Sequence, residues 1–414
     1  MSSAAALPHS DQPAQKRRVA IITAEILGPV RNGGIATAYT GLAEALAAEG
    51  HAVDILFVDL TNAAADGSDG WVNHYATQGI SLSCLPGSGD LVALSQAAAE
   101  WLRGRNADIA HFHDWLGLGA AAIAEKRAGK AFFDTLLVVG THGPSAWAAE
   151  GNAVALDPGI DHQERRSVAL ADVLVSPSAY LLDWFRARGW DLPRQYHVQQ
   201  NLLPGRADLP PPRQTLAVRE LVFFGRLERR KGVVLFCDAL DLLATRGKLA
   251  GLSVTLLGRT APVDGQDGLT YARHRAQHWG LPVTAIGDRD TAAALAYLKE
   301  GNRLAVIPSL IENSPCTVLE CLLDGIPFLA ADVGGVAELI APDDRASLLF
   351  AAQAEALAGR LEQVLTSGAM TGAPAIPQAI VRQGWTNWHA TVPHKARWPR
   401  ALWRFLARIG FTPA

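Results

Sequence analysis

Short apolar runs alternate with longer segments of helical periodicity along most of the chain. The first run, Arg18–Ala24, leads into a glycine-rich loop, and apolar positions at helical spacing then extend from Ile35 to Glu49. Strands of a parallel sheet are buried on both faces and are joined by crossover helices, so this alternation predicts parallel α/β layers. The pattern continues with predicted strands at 51–58, 81–85, 109–112, 136–140 and 173–175, and a predicted helix at 178–188.

A proline-rich stretch near the middle of the chain predicts a linker between two domains. A second alternating series follows, with predicted strands at 221–225, 253–257, 283–286, 304–308 and, last, 328–331, and helices at 233–244, 272–279, 291–298 and 336–340. The expected fold class is α/β, with two Rossmann-like domains facing each other across a cleft. The expected division is a disordered tail at 1–17, an N-terminal domain at 18–203, a linker at 204–220, a C-terminal domain at 221–385 and a C-terminal helix at 386–414.

Composition narrows the class of protein without indicating a substrate. The chain has 414 residues, enough for two cores, and a net charge of −3, which gives no general attraction to nucleic acid. Its four cysteines are scattered without metal-type spacing, which is typical of reduced thiols in a cytoplasmic protein. The chain contains no apolar run approaching the roughly 20 residues of a membrane-spanning helix.

An acidic segment follows the predicted strand 304–308. Ser314 is the predicted N-cap of the next helix and Pro315 its first residue. This arrangement places Glu312 in the loop at the carboxyl end of the strand and Glu320 further along the helix, toward the crevice where open α/β sheets bind ligands. Two carboxylates there can accept hydrogen bonds from hydroxyl groups of a sugar and a ribose. The alternative is a pair of solvated carboxylates beside a helix.

A basic loop follows the predicted strand 221–225. Gly225 and Gly232 bracket Arg226 and Lys231 as a tight loop would. A guanidinium and an ammonium held together in a dry site would stabilise the negative charge of a departing diphosphate. The charged residues between them are expected to form a solvated face: Glu228, Arg229 and Arg230.

The loop after the first strand carries Gly33 and Gly34 immediately before a helix. Glycine lets the backbone approach a ligand closely, and a helix N-terminus attracts phosphate oxygens. The loop is not a Walker motif, because Ile35 stands where the motif requires lysine. A plain turn between strand and helix is the alternative.

Histidines follow two further strands of the first domain. His142 comes after the strand 136–140, and a histidine in such a place is more often structural than catalytic. The strand before it, 109–112, contains His111 and is followed directly by His113 and Asp114. The two histidines could suggest a metal site, but the chain offers no convincing set of further ligands, so no metal is expected.

Taken together and in this order, these segments resemble the retaining, nucleotide-sugar-dependent glycosyltransferases of the GT-B fold, the glycogen-synthase and sucrose-synthase type called family 4. The resemblance covers most of residues 18–345 and implies an acceptor-side first domain and a nucleotide-sugar-binding second domain. It implies that Arg226 and Lys231 stabilise the leaving diphosphate, that Glu312 orients the sugar, and that Glu320 holds the ribose. It places His142 at the reacting centre. The implied donor-binding residues are Gly33, Gly34, Arg226, Lys231, Asn313, Ser314 and Glu320, and the implied acceptor-side residues are His113, Asp114 and Trp147.

The resemblance implies transfer of a hexose from a nucleoside-diphosphate sugar to a hydroxyl with retention of configuration, in polysaccharide or glycoconjugate assembly. The acceptor would be a glycan, a lipid-linked molecule or a small molecule, and no cofactor beyond the donor substrate is expected. Two alternatives stay open. One is a GT-B-fold epimerase acting on the nucleotide sugar itself, and the other is a non-catalytic subunit that binds sugar nucleotides.

The C-terminal residues 394–409 are basic and aromatic. The favoured interpretation is a helix that crosses back to the first domain. The alternative is an interfacial helix that brings a cytoplasmic enzyme to the inner face of the membrane.

Overall fold

The computed structural model describes residues 14–28, 33–61, 68–87, 89–205 and 211–392. The chain divides into two compact units, each with its own parallel sheet. Unit 1 comprises residues up to Trp147, Ala155–Gly205, and the chain from Gln378 on; unit 2 comprises Ala148–Val154 and Arg206–Pro377.

The elements alternate as the apolar pattern predicts. The first series is β1 (Arg18–Thr23), α1 (Gly34–Ala48), β2 (Ala52–Asp59), α2 (Ser68–Thr77), β3 (Ile80–Pro86), α3 (Leu91–Arg103), β4 (Ile109–His113), α4 (Ala120–Arg127), β5 (Leu136–Gly140), α5 (Ser145–Asn152), α6 (Pro158–Leu170), β6 (Val173–Ser176), α7 (Ala179–Ala187) and β7 (Tyr196–Val198).

The second series begins at residue 215. It is β8 (Thr215–Leu216), β9 (Glu220–Phe224), α8 (Val233–Thr245), β10 (Ser253–Leu257), β11 (Pro262–Val263), β12 (Gln266–Asp267), α9 (Gly268–Ala276), β13 (Val283–Ile286), α10 (Thr291–Lys299), β14 (Arg303–Ile307), α11 (Cys316–Asp324), β15 (Phe328–Ala331), α12 (Val336–Leu339), α13 (Pro342–Leu348), β16 (Leu349–Phe350), α14 (Ala354–Ser367), β17 (Ala369–Met370) and α15 (Gln378–Thr391).

Unit 1 has a seven-stranded sheet in the order β3-β2-β1-β4-β5-β6-β7, with every neighbouring pair parallel. The strand order reverses between β1 and β4, which is where open α/β sheets bind ligands. The core lies between the sheet and α1, whose apolar side chains include Tyr39 and Leu42. The loops that follow β1, β4 and β5 therefore reach the same edge of the sheet.

Unit 2 has a six-stranded parallel sheet in the order β13-β10-β9-β14-β15-β16. Its reversal point lies between β9 and β14, and Leu221 and Phe223 of β9 are fully buried in its core. The loop after β9 is the basic loop and the loop after β14 is the acidic one. Strand pairing therefore brings two segments together that are about 80 residues apart in the sequence.

The predicted strands are confirmed, several of them with identical bounds, such as 253–257 and 283–286. The expectation that 328–331 is the last strand is wrong, because β16 and β17 follow it. The predicted cap of α11 is also wrong by one position. Pro315 is the N-cap, without a side-chain hydrogen bond, and the helix begins at Cys316 rather than at the proline.

The end of the chain departs from the expected division. Unit 2 ends at Pro377 rather than at 385, and α15 begins eight residues before the predicted C-terminal helix. The reason is packing, since Val381, Trp385 and Trp388 of α15 are buried in the core of unit 1. The predicted tail helix beyond residue 392 lies outside the described residues, as do the first 13 residues of the chain.

The last residues of the expected disordered tail have fixed partners. The backbone amide of Gln15 donates to the carbonyl of Ala390 at 3.0 Å, and the Arg17 guanidinium donates to the carbonyl of Val392 at 3.1 Å. Arg17 is buried because it lies against α15. Within the described part of the chain, no helix combines the length and the apolar character needed to span a bilayer.

Candidate functional site

The basic loop of unit 2 is shaped by two glycines with positive φ. Gly225 has φ of 155° and Gly232 has φ of 79°. A Cβ at Gly232 would lie 1.7 Å from the carbonyl oxygen of Pro308, so only glycine allows the loop after β9 to lie this close to the end of β14. Arg226 is exposed, and Lys231 lies at the end of a 3₁₀ turn directly before α8.

The acidic loop places Glu312 against this turn. The Lys231 ammonium donates a hydrogen bond to Glu312 Oε1, and the Ser309 hydroxyl donates to the same oxygen at 2.7 Å. The other oxygen, Oε2, lies 4.0 Å from the Arg230 guanidinium. The carbonyl of Glu312 accepts from the amide of Gly335 at 3.1 Å. Glu312 is therefore fixed by both its side chain and its backbone.

The charge of Glu312 is set by two opposing effects. Burial raises the pKa of this carboxyl, but the positive charges of Lys231 and Arg230 outweigh burial, so the pKa is lowered below its ordinary value. Burial lowers the pKa of Lys231, and Glu312 opposes that shift. Because Glu312 stays ionised at neutral pH, it can accept hydrogen bonds from hydroxyl groups but cannot serve as a proton donor.

The expected solvated face of this loop is wrong for two of its three residues. Glu228 and Arg230 are buried, and Arg230 donates to Glu228 at 2.9 Å. Glu228 also lies 3.2 Å from Arg226, so it joins the exposed cation to the buried one. Arg229 is half-buried and pairs with Asp264. These ion pairs with Glu228 and Asp264 offset the repulsion between the closely spaced cations of the loop and hold it in one conformation.

The other predicted donor residues of unit 2 lie on the same side of the sheet. Asn313 is buried and Ser314 is half-buried, directly after Glu312. Glu320 is buried on α11, the helix that follows this loop. The predicted residues Arg226, Lys231, Glu312, Asn313 and Ser314 therefore come together on two adjacent loops, and Glu320 lies on the helix that follows the second loop.

In unit 1, Asp114 holds the loop that carries His142. Its Oδ1 accepts from the amides of Trp115 at 2.9 Å and of His142 at 2.8 Å, and its Oδ2 accepts from the amide of Gly143 at 3.1 Å. Asp114 is fully buried, and burial raises its pKa to about 6 against the lowering effect of these hydrogen bonds. The prediction that Asp114 lines an acceptor-binding surface is therefore wrong, because the residue lies buried beneath the loop that carries His142.

His113 is also fully buried and does not line a surface of unit 1. Its Nε2 accepts from the amide of Ala24 at 3.0 Å, which ties the end of β4 to the end of β1. Trp147 is buried as well, and its indole N–H donates to the Tyr180 hydroxyl at 3.3 Å. All three predicted acceptor-side residues thus support the surface from below.

His142 remains at the surface of this loop and is half-buried. Its ring lies 5.3 Å from the ring of Tyr39, centroid to centroid, and the Tyr39 hydroxyl donates to the carbonyl of Phe112 at 2.8 Å. Burial lowers the pKa of His142 to about 3, with a further lowering by His113. The imidazole is therefore neutral at physiological pH.

A second buried carboxylate in unit 1 holds the same loop. Glu164, on α6, accepts from the amide of Leu116 at 2.8 Å, from the amide of Ser145 at 2.8 Å and from the Ser145 hydroxyl at 2.7 Å. It is fully buried, and burial raises its pKa to about 7. Glu164 could not be recognised from the sequence, because an isolated glutamate in a polar helix is indistinguishable from a solvated one.

The predicted glycines of the first loop lie at the N-terminus of α1. Gly33 is the N-cap and is exposed, and its amide donates to the carboxylate of Glu25 at 3.1 Å. A carboxylate of the protein thus occupies part of the position that the sequence assigns to a phosphate. Among the residues that the structure describes, no group of three or more His, Cys, Asp or Glu side chains gathers as metal ligands would.

Comparison with known proteins identifies the family. Two family models match consecutive parts of the chain, the glycosyl transferase 4-like domain at residues 33–200 and the glycosyl transferases group 1 at residues 215–374. The chain is a glycosyltransferase of this family. Both of the clusters described above lie inside the matched ranges.

Relatives and solved structures agree with this assignment. The glycosyltransferase is 26% identical over 336 residues to a glycogen synthase of Mycobacterium tuberculosis, covering 75% of this chain and 77% of the relative. The sucrose-phosphate synthase of Thermosynechococcus elongatus shares the fold with a TM-score of 0.62 at 18% identity, covering 95% of this chain and 98% of the other. The catalytic domain of starch synthase IV from Arabidopsis thaliana, bound to ADP and acarbose, has a TM-score of 0.58 at 14% identity, covering 96% and 99%. The fold is GT-B.

The glycosyltransferase thus contains two groups of the predicted residues, each at the reversal point of its own sheet. Several residues that hold these groups in place were not predicted from the sequence: Glu25, Glu164, Glu228, Arg230 and Ser309. Arg230 carried a partial signal, because the like charges at 229–231 repel one another and a nearby carboxylate relieves that repulsion.

Proposed function

We propose that this glycosyltransferase moves a hexose from a nucleoside-diphosphate sugar to a hydroxyl with retention of anomeric configuration. The observation that carries the proposal is the charged cluster at the reversal point of unit 2, in which Lys231 pairs with Glu312 and Arg226 is held beside them by Glu228. Two cations and an ionised carboxylate suit the two ends of such a donor, a diphosphate and a sugar ring with hydroxyl groups.

In this proposal the cations act when the glycosidic bond breaks. Negative charge then accumulates on the diphosphate, and Arg226 and Lys231 stabilise it more strongly than they stabilise the intact donor. Arg226 is exposed and its ion pair with Glu228 is open to solvent on the arginine side, so its guanidinium can turn to a ligand at little cost. Lys231 is held in place by Glu312, and its ammonium needs no reorganisation in the transition state.

Glu312 orients the sugar as a hydrogen-bond acceptor. Its lowered pKa argues against a role as general acid, and glycosidases differ in placing one protonated and one ionised carboxyl across the bond. The leaving phosphate therefore takes the proton of the acceptor hydroxyl as the new bond forms on the same face of the sugar. Glu320 is proposed to hold the ribose, and His142 to support the reacting centre from unit 1.

The proposal includes a role in polysaccharide or glycoconjugate assembly. It is supported by the likeness to a glycogen synthase and by the shared fold of a starch synthase domain whose structure is bound to ADP and acarbose.

The test is incubation of the protein with nucleotide sugars of several bases, with and without glycan acceptors. Retaining transfer predicts a nucleoside diphosphate as product and, by ¹H NMR, a new glycoside with the anomeric configuration of the donor. An inverted product contradicts retention. Isomerisation of the donor without an acceptor indicates the epimerase, and donor binding without any product indicates the non-catalytic subunit.

A further inference from the structure

The loop Thr141–Ser145 of unit 1 is anchored by buried carboxylates on two sides. Asp114 binds the amides of His142 and Gly143 from the end of β4. Glu164 binds both the amide and the hydroxyl of Ser145 from α6. His142 lies between these two anchors, so the position of its backbone and ring depends on both.

Glu164 also fixes a second, strained segment. Its Oε1 accepts from the amide of Leu116, a non-glycine residue with φ of 66° in the turn after β4. The neighbouring Gln163 donates its amide to the carbonyl of Leu116 at 2.9 Å. A leucine in the left-handed region is strained and persists only where the surroundings hold it. Two adjacent residues of α6 therefore hold both backbone groups of Leu116.

We propose that Glu164 is a positioning residue of this glycosyltransferase, which holds the His142 loop in its active conformation through three hydrogen bonds to Leu116 and Ser145. The inference rests on the role proposed for His142 in the reaction. Glu164 is fully buried, so it acts through the loop and not by contact with a substrate.

The ionisation of Glu164 gives this role a pH dependence. Ionised, the carboxylate accepts all three hydrogen bonds; protonated, it carries one O–H and loses acceptor capacity toward the amides. The pKa of Glu164 is raised to about 7, chiefly by burial and to a smaller extent by the charge of Asp114 in the turn after β4, whereas the hydrogen bonds from Ser145 and from the Leu116 amide oppose the shift. Acidification through this range therefore loosens the loop.

Acidification loosens the loop but raises the contribution of Glu164 to the global stability of the protein. Because the pKa of Glu164 is higher in the folded protein than its ordinary value of 4.5, the folded state binds the proton more tightly. Its contribution to the free energy of unfolding is therefore more favourable at low pH and declines as pH rises from about 4.5 to about 7. A loss of activity on acidification without a loss of stability distinguishes positioning from a general structural role.

The test compares Glu164→Gln with Ser145→Ala and with the control Asp172→Asn. Asp172 is also a largely buried carboxylate of unit 1, and it accepts hydrogen bonds from Lys126 at 2.5 Å and from the amide of Leu137 at 2.8 Å. Leu137 lies near the start of β5, whereas the His142 loop follows the end of that strand. Each variant is assayed for kcat and KM across pH 5.5–8.5, for nucleoside-diphosphate affinity, and for amide exchange of the segment 141–147.

Glu164→Gln should lower kcat about 10- to 100-fold with KM for the donor and nucleoside-diphosphate affinity changed less than about 3-fold, and the acid limb of kcat should shift or vanish. Ser145→Ala removes one of the three hydrogen bonds and should lower kcat by a smaller factor. Amide exchange of 141–147 should quicken in both variants. Asp172→Asn should lower the melting temperature without changing the pH profile or this exchange.

An unchanged kcat and pH profile in Glu164→Gln would overturn the proposal, as would a loss no different from that of Asp172→Asn. If Glu164→Gln fails to fold, Ser145→Ala decides, because it removes one hydroxyl and leaves both amide contacts. If the wild-type protein transfers no sugar, the proposed function has failed, and amide exchange alone then tests whether Glu164 holds the loop.

Discussion

At the scale of single residues, two buried glutamates have opposite properties because their partners differ. Glu312 faces two cations, which hold its pKa below the ordinary range. Glu164 faces backbone amides and a hydroxyl, which do not offset burial, and its pKa rises to about 7. The first is a permanent acceptor near the proposed donor, and the second is a group that responds to pH.

Replacement of Lys231 by alanine should reduce kcat by about 10²–10³, because a fixed cation at the leaving group is lost. It should also cost about 3–5 kcal/mol of stability, because Glu312 is left buried with its main partner gone. Steady-state kinetics and urea unfolding measure the two effects. The matched control is Lys248→Ala, an exposed lysine of the same unit, which should change neither. A Lys231→Ala variant with wild-type turnover would remove Lys231 from the mechanism.

The ion pair of Glu312 should show itself in the pH dependence of stability. A carboxyl with a lowered pKa contributes its full stabilisation above its ordinary pKa of 4.5 and loses it as pH falls through the folded value. The difference in unfolding free energy between wild type and Glu312→Gln should therefore be constant from pH 7 to about 5 and shrink below about 4.5. Urea titrations between pH 7 and 3 measure it. A difference that grows on acidification would contradict the direction of the shift.

At the scale of elements, the sequence predicted what depends on continuous apolar runs. β10 has the predicted bounds because four of its five residues are buried, and a strand buried on both faces leaves a nearly continuous apolar run. Helix ends were less predictable, as at α11, where Pro315 takes the cap position that the pattern assigned to Ser314. The very short strands β16 and β17 have only two residues each and leave no periodicity to detect.

The loop between β9 and α8 should be intolerant of a side chain at Gly232. Gly232→Ala adds a left-handed strain and a contact at 1.7 Å with the Pro308 carbonyl, so the expected loss of stability is about 2–5 kcal/mol. Gly247 is a matched control, since it has φ of 66° and open space around its Cα, and Gly247→Ala should cost about 1 kcal/mol. Chemical denaturation compares them. Equal losses would show that crowding at Pro308 plays no part.

At the scale of the whole molecule, unit 1 is not a continuous piece of sequence. It is completed by α15, which begins more than 170 residues after the rest of the unit ends at Gly205. His111 of β4 and His389 of α15 share a hydrogen bond of 2.8 Å between their Nε2 atoms, and His389 Nδ1 donates to the carbonyl of Trp385. Burial lowers the pKa of His111 to about 3, so the pair is neutral.

The packing of α15 should therefore govern the stability of unit 1. Trp388→Ala is expected to cost about 3–5 kcal/mol, because this side chain is almost fully buried in the core. Ile380→Ala, on the same helix but 55% exposed, should change stability by less than about 1 kcal/mol. Thermal and urea unfolding give both values. A Trp388→Ala variant as stable as the wild type would show that the packing of α15 does not govern the stability of unit 1.

The residues of the candidate site were predictable from the sequence where they come directly after a predicted strand. The charged residues after β9 and β14 stand directly after apolar runs, and the carboxyl ends of adjacent parallel strands meet at one edge. What could not be predicted are partners drawn from elsewhere, such as Glu164 against Ser145 or His389 against His111. For the same reason Asp114, which the sequence presents as a cleft residue, is occupied by backbone amides beneath the surface.

The cluster of Arg226, Lys231 and Glu312 is proposed to bind a nucleoside-diphosphate sugar, and everything inferred about the reaction depends on that binding. Its most direct test is the melting temperature of the wild-type protein in the presence of ADP-, UDP-, GDP- and dTDP-sugars at increasing concentration. We expect one of these donors to stabilise the protein by about 2.7 kcal/mol at 100 times its Kd, and Lys231→Ala and Arg226→Ala to weaken that response. If no nucleotide sugar raises the melting temperature of the wild-type protein, the cluster does not bind such a donor.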